Sequence, residues 1–292
     1  MPPLSPDLFA RLPEPAAHDR LAAVAAAAYG APSRDHVVAA PGAQILLALV
    51  AALVPPGRAA VLGPTYSEFS RAAALAGHGV VEVGDIRRLR DADFAVLANP
   101  NNPDGRVFTK LELLDLADAR RRGGLLVVDE AFMEVGPAGA SLGSEVAGRD
   151  IVVLRSFGKF FGLAGLRLGF ALAKPEIAAR LAALLGPWAV SGPAIAVGQT
   201  ALADAAWIHT MRKRLEGEAG RLDAVLAGAG IEISGGTSLF RLVRTSEAEI
   251  LFQRLGRAGI LVRRFPEHAM WLRIGLPGNE TSWDRLRAAL GR

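Results

Sequence analysis

The sequence predicts an α/β protein, with a large domain around a mostly parallel sheet and a small α+β domain. Three observations carry this expectation. From residue 36 onward, short β-rich runs alternate with stretches of helical periodicity, the pattern of a sheet covered on both faces. After about residue 185 the alternation gives way to long helical stretches and a few short apolar runs. The polar residues able to do chemistry follow directly on the β-rich runs, at the carboxyl ends where such folds collect function.

In chain order, His36–Ala40 reads as a short strand, and Gly42 opens an apolar helix over Ala43–Val54. Ala59–Leu62 is the next strand-like run, followed by a helix over Ser67–Ala76 and a run at Gly79–Val83. Phe94–Ala98, Leu125–Val128 and Ile151–Leu154 are further strands, with helical periodicity at Leu111–Arg122 between the first two. A long helix over Ala194–Leu226 then leads to Ile231–Ile233, Ser238–Val243, a helix at Glu247–Ala258, Ile260–Arg263, Trp271–Ile274 and a last helix, Trp283–Leu290. The expected division is a large domain at 35–185 and a small domain made of 1–34 and 186–292.

Composition excludes several classes. The 292 residues contain no cysteine, which removes disulfides, zinc–thiolate sites and a catalytic thiol. A net charge of +4, with basic residues scattered among acids, does not form the one-sided cluster a nucleic-acid surface needs. The first residues lack the apolar core of a signal peptide. The least polar stretch, Leu181–Gly198, is broken by Gly186-Pro187 and Gly192-Pro193, so it reads as a buried segment with turns rather than a membrane span. No metal site is indicated. The expectation is a cytoplasmic enzyme acting on a small molecule.

Lysine is scarce: Lys110, Lys159, Lys174 and Lys213 are the four in the chain. Three read as solvated surface positions. Lys159 lies just after a strand in Ser156-Phe157-Gly158-Lys159-Phe160-Phe161-Gly162, among aromatics that are expected to desolvate it and make its amine a nucleophile. Alone, it reads equally well as a lysine whose stem packs while its head reaches water. Arg167, in Gly165-Leu166-Arg167-Leu168-Gly169, follows among glycines that let the backbone approach a ligand. Ser156, Lys159 and Arg167 in this order suit a phosphate beside an aldehyde.

Asp129 ends the run Leu125–Val128. A Walker B acid would need an earlier GxxxxGK[ST], and the single Gly-Lys, Gly158-Lys159, comes later and is followed by Phe160. The carboxylate is read instead as a partner for a pyridinium nitrogen, or as a helix cap. Asn99-Pro100-Asn101-Asn102-Pro103-Asp104-Gly105 is a tight turn that also holds a side-chain amide at a strand end. Gly42-Ala43-Gln44 offers helix N-terminal amides to a phosphate. Tyr66 could stack on an aromatic ring or belong to the core. Arg273, inside the apolar run Trp271–Ile274, calls for a carboxylate ligand or a structural ion pair.

Taken together, these segments resemble the fold-type I pyridoxal 5′-phosphate (PLP) enzymes, in the histidinol-phosphate aminotransferase-like branch, over nearly the whole chain. The resemblance implies that Lys159 binds the cofactor covalently and Asp129 pairs with its ring nitrogen. It puts Asn102 on the phenolic oxygen and Tyr66 on the ring face. Gly42, Ala43, Gln44, Ser156 and Arg167 would hold the cofactor phosphate, and Arg273 the substrate α-carboxylate, with Asn102 beside it. Arg264 and Arg155 are candidates for a substrate phosphate on charge alone. Within the branch, Val153–Ala171, Gly186–Pro193 and Gly236–Arg244 look most like the carboxy-lyases of cobalamin biosynthesis that act on a phosphorylated amino acid. That likeness implies conversion of L-threonine O-3-phosphate to (R)-1-amino-2-propanol O-phosphate and carbon dioxide by a homodimer; the alternative is a class I/II aminotransferase acting on histidinol phosphate. Three departures matter. Phe132 stands where aminotransferases usually carry a tyrosine, Ala43 lacks a hydroxyl often found at the phosphate, and the N-terminal arm is expected to be absent, with Leu12 in place of a tyrosine that reaches the partner subunit.

Overall fold

The structure, a computed structural model of the chain, describes residues 4–120 and 123–291. The described residues form two compact units, one drawn from Met1–Pro100 and Val107–Ala205, the other from Asn101–Arg106 and Ala206–Arg292.

The first unit runs α1 (Asp7–Ala10), α2 (Pro15–Tyr29), β1 (Val37–Ala40), α3 (Ala43–Ala52), β2 (Arg58–Leu62), α4 (Glu68–Leu75), β3 (Gly79–Val83), β4 (Phe94–Ala98), α5 (Lys110–Asp118), β5 (Leu125–Asp129), β6 (Ile151–Ser156), β7 (Gly169–Leu172), α6 (Pro175–Leu185) and α7 (Gly192–Ala203). Its seven strands lie in the order β3-β2-β4-β5-β6-β7-β1. Strands β3 to β6 pair in parallel, and β7 pairs antiparallel with both β6 and β1. A parallel return needs a full crossover, usually a helix. The link from β6 to β7 contains only the short 3-10 turn Ala164–Leu166, so the chain doubles back. The central strands are buried along both faces, as a helix-covered sheet requires: Phe94–Ala98 is buried throughout, and so are Leu125–Val128 and Ile151–Leu154.

The second unit runs α8 (Ala205–Gly228), β8 (Glu232–Thr237), β9 (Phe240–Arg244), α9 (Ala248–Arg257), β10 (Arg263–Arg264), β11 (Trp271–Gly275) and α10 (Glu280–Leu290). Its antiparallel sheet has the order β10-β11-β9-β8. Helical spacing sets its core: Ala248, Leu251 and Leu255 of α9 and Trp283, Leu286 and Leu290 of α10 bury one face each against Val243, Leu272 and Ile274.

Several expectations need correction. The domain boundary falls elsewhere than expected: α2 packs on α7 and β1, so residues 4–34 and 186–205 belong with the large sheet. Leu21, Ala25 and Tyr29 of α2 are buried there, but its near-uniform run of alanines shows no stripe to reveal the helix. The expected helix Ala194–Leu226 is two helices, α7 and α8, broken at Asp204 with φ −86° and ψ 74°. Strand β7 was not among the expected strands; it is buried on both faces and so shows no alternation. Of the run Ile260–Arg263, only Arg263 pairs, joined by Arg264. Among the described residues, no helix is long and apolar enough to cross a membrane.

Candidate active site

Sheet register brings the singled-out residues of the first unit to one edge. Ala98 lies opposite Asp129, and Asp129 opposite Leu154. Ser156 lies opposite Gly169, and Gly169 opposite Ala40. The antiparallel β7 thus starts where β6 and β1 end, which draws Ser156 and Arg167 to the N-terminus of α3 although more than a hundred residues separate that helix start from either.

Asp129 closes β5, where its Oδ1 accepts the Ala131 N–H at 2.9 Å and its carbonyl accepts the Asn99 N–H at 2.9 Å. Burial pushes its carboxyl up to about 6; the Ala131 N–H and then the nearby Lys159 charge pull the other way. Lys159 occupies the turn after β6, with Nζ 5.7 Å from the Phe132 ring centroid. The expectation that aromatics desolvate Lys159 is corrected, because its side chain is exposed. Phe157, Phe160 and Phe161 are buried and pack on one another, with Phe157 and Phe161 stacked at 4.3 Å; they floor the turn instead of covering the amine. Of the other lysines, Lys110 pairs with Glu145 at 3.1 Å and Lys174 with Asp150 at 2.5 Å.

An anion cradle is built at the start of α3. Gly42, the N-cap, has φ 93°, and a Cβ there would lie 2.8 Å from Nη2 of Arg167. A Cβ on Gly169 would lie 2.3 Å from the Ala43 nitrogen, so β7 passes directly under the first turn of the helix. Arg167 itself is left-handed at φ 56°, and its Nη1 donates to the Ala164 carbonyl at 3.1 Å. Helix amides, a guanidinium and the Ser156 strand end are the donors an anionic phosphate requires. The next residue, Gln44, donates to Glu68 at 2.9 Å and accepts from the Tyr66 hydroxyl at 3.1 Å. Tyr66 is 39% exposed and packs edge-on against Phe69.

The remaining candidates lie in the second unit. The Asn101–Arg106 loop closes on itself: Asp104 Oδ1 accepts from Asn101 Nδ2 at 2.8 Å and from the Arg106 N–H at 3.0 Å. It sits tightly on β8, since a Cβ on Gly105 would lie 1.9 Å from the Gly236 carbonyl oxygen, and one on Gly235 would lie 2.1 Å from that of Asp104. This docking sets Asn102, whose Oδ1 accepts a hydrogen bond from Arg273 Nη1. Arg273 lies 5.1 Å over the Phe240 ring and directly opposite Arg263 in the sheet. Burial, then Arg263, presses against its positive charge, and among the described residues no carboxylate lies within ion-pair reach. Such a site favours an incoming anion. Arg264 is exposed, pairs with Glu249 at 3.2 Å and lies over Phe252.

Arg155 is not available to a substrate phosphate, which corrects the reading from charge alone. It is 5% exposed and bound to Glu130 at 2.7 Å and to Glu134 at 3.0 Å. Neither glutamate was assigned this role from the sequence; the signal was a charged residue directly after the apolar run Ile151–Leu154, within the strand, which called for buried partners.

A helix-covered α/β sheet with a lysine, a partly buried carboxylate and an anion cradle at one edge defines a fold-type I PLP enzyme. The donor set fits that cofactor: the cradle suits its phosphate, Asp129 its ring nitrogen and Lys159 its aldehyde. The chain belongs to the aminotransferase class I and II family, whose profile matches residues 7–290. It is 42% identical to a threonine-phosphate decarboxylase of Pseudomonas aeruginosa over 99% of this chain and 87% of that one. It is 44% identical to a threonine-phosphate decarboxylase of Sinorhizobium sp. over 86% and 76% of the two chains. It shares the fold of the histidinol-phosphate aminotransferase from Sinorhizobium meliloti, solved in complex with pyridoxal-5′-phosphate, at TM-score 0.85, 24% identity and coverage of 98% and 86%.

Proposed function

We propose that the chain is a PLP-dependent carboxy-lyase that converts L-threonine O-3-phosphate to (R)-1-amino-2-propanol O-phosphate and carbon dioxide. The observation that carries this is the likeness to threonine-phosphate decarboxylases along nearly the whole chain. Phe132 supports it against an aminotransferase, because the ring facing the Lys159 amine has no hydroxyl to offer.

When bound, PLP supplies an aldehyde for the substrate amine and a ring that takes up the electron pair of a bond broken at the α-carbon. The rest is positioning by the chain. Gly42, Ala43, Gln44, Ser156 and Arg167 are proposed to hold the cofactor phosphate, Tyr66 its ring face, Asn102 its phenolic oxygen and Asp129 its ring nitrogen. An ionised Asp129 keeps that nitrogen protonated. Arg273 is proposed to receive the α-carboxylate, helped by Asn102, and Arg264 the substrate phosphate. Which α-carbon bond breaks depends on orientation, so the Arg273 grip on the carboxylate is where the reaction is selected. The carbon–carboxylate bond breaks, carbon dioxide leaves, and the α-carbon takes a proton, for which Lys159 in its ammonium form is the proposed donor. The protein is proposed to act as a cytoplasmic homodimer in cobalamin biosynthesis. Ile45 and Tyr66, 40% and 39% exposed beside the cradle, support a partner surface there.

The deciding assay supplies PLP and L-threonine O-3-phosphate and measures carbon dioxide and keto acid together. Carbon dioxide with little keto acid is expected, and Arg273→Ala should lose turnover. Efficient glutamate formation from histidinol phosphate and 2-oxoglutarate would overturn the decarboxylase reading and leave the family standing.

A further inference from the structure

The proposed chemistry uses neither Arg155 nor the two glutamates bound to it, yet these three charged side chains are sealed beside the strand end that carries Asp129. Glu130, Glu134 and Arg155 are 0%, 4% and 5% exposed. The Arg155 guanidinium meets Glu130 at 2.7 Å and Glu134 at 3.0 Å, and the Tyr29 ring of α2 covers it at 4.3 Å. Replacing a buried ionic cluster by apolar side chains of the same shape often costs no stability, which turns attention to what this cluster holds in place. Glu130 follows Asp129 directly. Its carboxylate also accepts from the Leu142 N–H and the Ser141 hydroxyl, both at 2.7 Å, which ties the 136–142 loop to the turn. The Asp129–Phe132 turn is therefore held from inside by the Ala131 N–H on Asp129, and from behind by Glu130 on Arg155 of the neighbouring strand.

We propose that Arg155, clamped by Glu130 and Glu134, is a positioning residue that fixes the Asp129–Phe132 turn and holds the Asp129 carboxylate in its charged form for the cofactor's ring nitrogen. This rests on Asp129 being the partner of that nitrogen. Among the described residues, the charges that act on Asp129 are Lys159 from the turn after β6, Glu130 from its own turn and Arg155 from β6. Burial and, more weakly, Glu130 oppose the carboxylate; the Ala131 N–H, then Lys159 and last Arg155 favour it. Around Arg155 itself, burial works against the guanidinium charge, but Glu134, Glu130 and Tyr29 outweigh it, so the charge is secure.

The two charged neighbours act on Asp129 with opposite sign, whereas a purely structural role would give both variants the same behaviour. The test measures binding of pyridoxamine 5′-phosphate to the full chain freed of PLP, by tryptophan fluorescence, as a function of pH. This probe has no aldehyde, so Lys159 does not bond to it. Affinity should fall on the acid side with a midpoint set by Asp129, and Asp129→Asn should abolish that midpoint. Arg155→Gln should raise it and Glu130→Gln should lower it, each by a fraction of a pH unit. Arg155→Lys, which keeps the charge, should restore the wild-type value. If Asp129→Asn leaves the midpoint in place, the role of Asp129 fails and the proposal with it. If the midpoint depends on Asp129 but Arg155→Gln leaves it unchanged, or both neutral variants move it the same way, the proposal alone is overturned. Should Arg155→Gln not fold, a wild-type midpoint in Glu130→Gln, or a displaced one in Arg155→Lys, overturns it equally.

Discussion

At neutral pH the folded chain without cofactor carries an ionised carboxylate at Asp129, where burial favours the neutral acid. Its value of about 6 in the fold lies above the ordinary 3.8. The sign follows: with the folded value raised, the stability that comes from binding this proton is fully present below 3.8 and is lost as pH rises through about 6. At about 1.4 kcal/mol per pH unit, the gap sets an upper bound of about 3 kcal/mol on the cost of ionisation. Because the side chain is partly open to solvent, about 1–2 kcal/mol is the working figure. Asp129→Asn removes the charge and keeps an oxygen that can accept the Ala131 N–H. The variant freed of PLP should therefore melt about 2–3 °C above wild type at pH 7.5, and the difference should close below pH 4. Decarboxylation by the loaded enzyme should nevertheless fall steeply, because an amide cannot keep the ring nitrogen protonated. Calorimetry at the two pH values, with a turnover assay beside it, checks both halves. A variant no more stable than wild type at pH 7.5, or one whose advantage persists at pH 4, would refute the reasoning from burial.

Lys159→Ala should abolish both the visible absorption of bound PLP and its fixation by borohydride, since Lys110 and Lys174 are engaged with Glu145 and Asp150; a fixed cofactor at the same place would count against the assignment. Gly42→Ala adds a methyl 2.8 Å from the Arg167 guanidinium on a residue with φ 93°, so PLP affinity should fall about tenfold, as read by titration of the cofactor-free chain. Gly105→Ala places a Cβ 1.9 Å from the Gly236 carbonyl oxygen and should lift the loop that sets Asn102 against Arg273, raising KM for L-threonine O-3-phosphate in steady-state assays.

How far the sequence reached can be judged from particular elements. Phe94–Ala98 and Leu125–Val128 were legible as strands because they are continuous apolar runs of strand length, closed by a turn and by Asp129. The edge-of-sheet positions of Gly42, Asp129 and Ser156 were legible for the same reason, since the end of an apolar run is a local property. Strand β7 and helix α2 were not, because burial on both faces and a run of alanines erase periodicity. The long-range charge pattern was out of reach too. Arg155 looked like a free cation because its partners stand 25 and 21 residues away, and Lys159 looked desolvated because the aromatics around it in sequence face into the core.

The sequence by itself determined the alternating order of elements, the strand-end polar residues and the scarcity of lysine that singles out Lys159. Those follow from local periodicity, apolar run length and residue chemistry. The tertiary structure alone decided that α2 packs with the large sheet, that Arg155 is spent on Glu130 and Glu134, and that Asn102 meets Arg273. These depend on which side chain lies across a sheet or a loop, and charge pairing and desolvation act through space with no trace in the neighbouring residues of the chain.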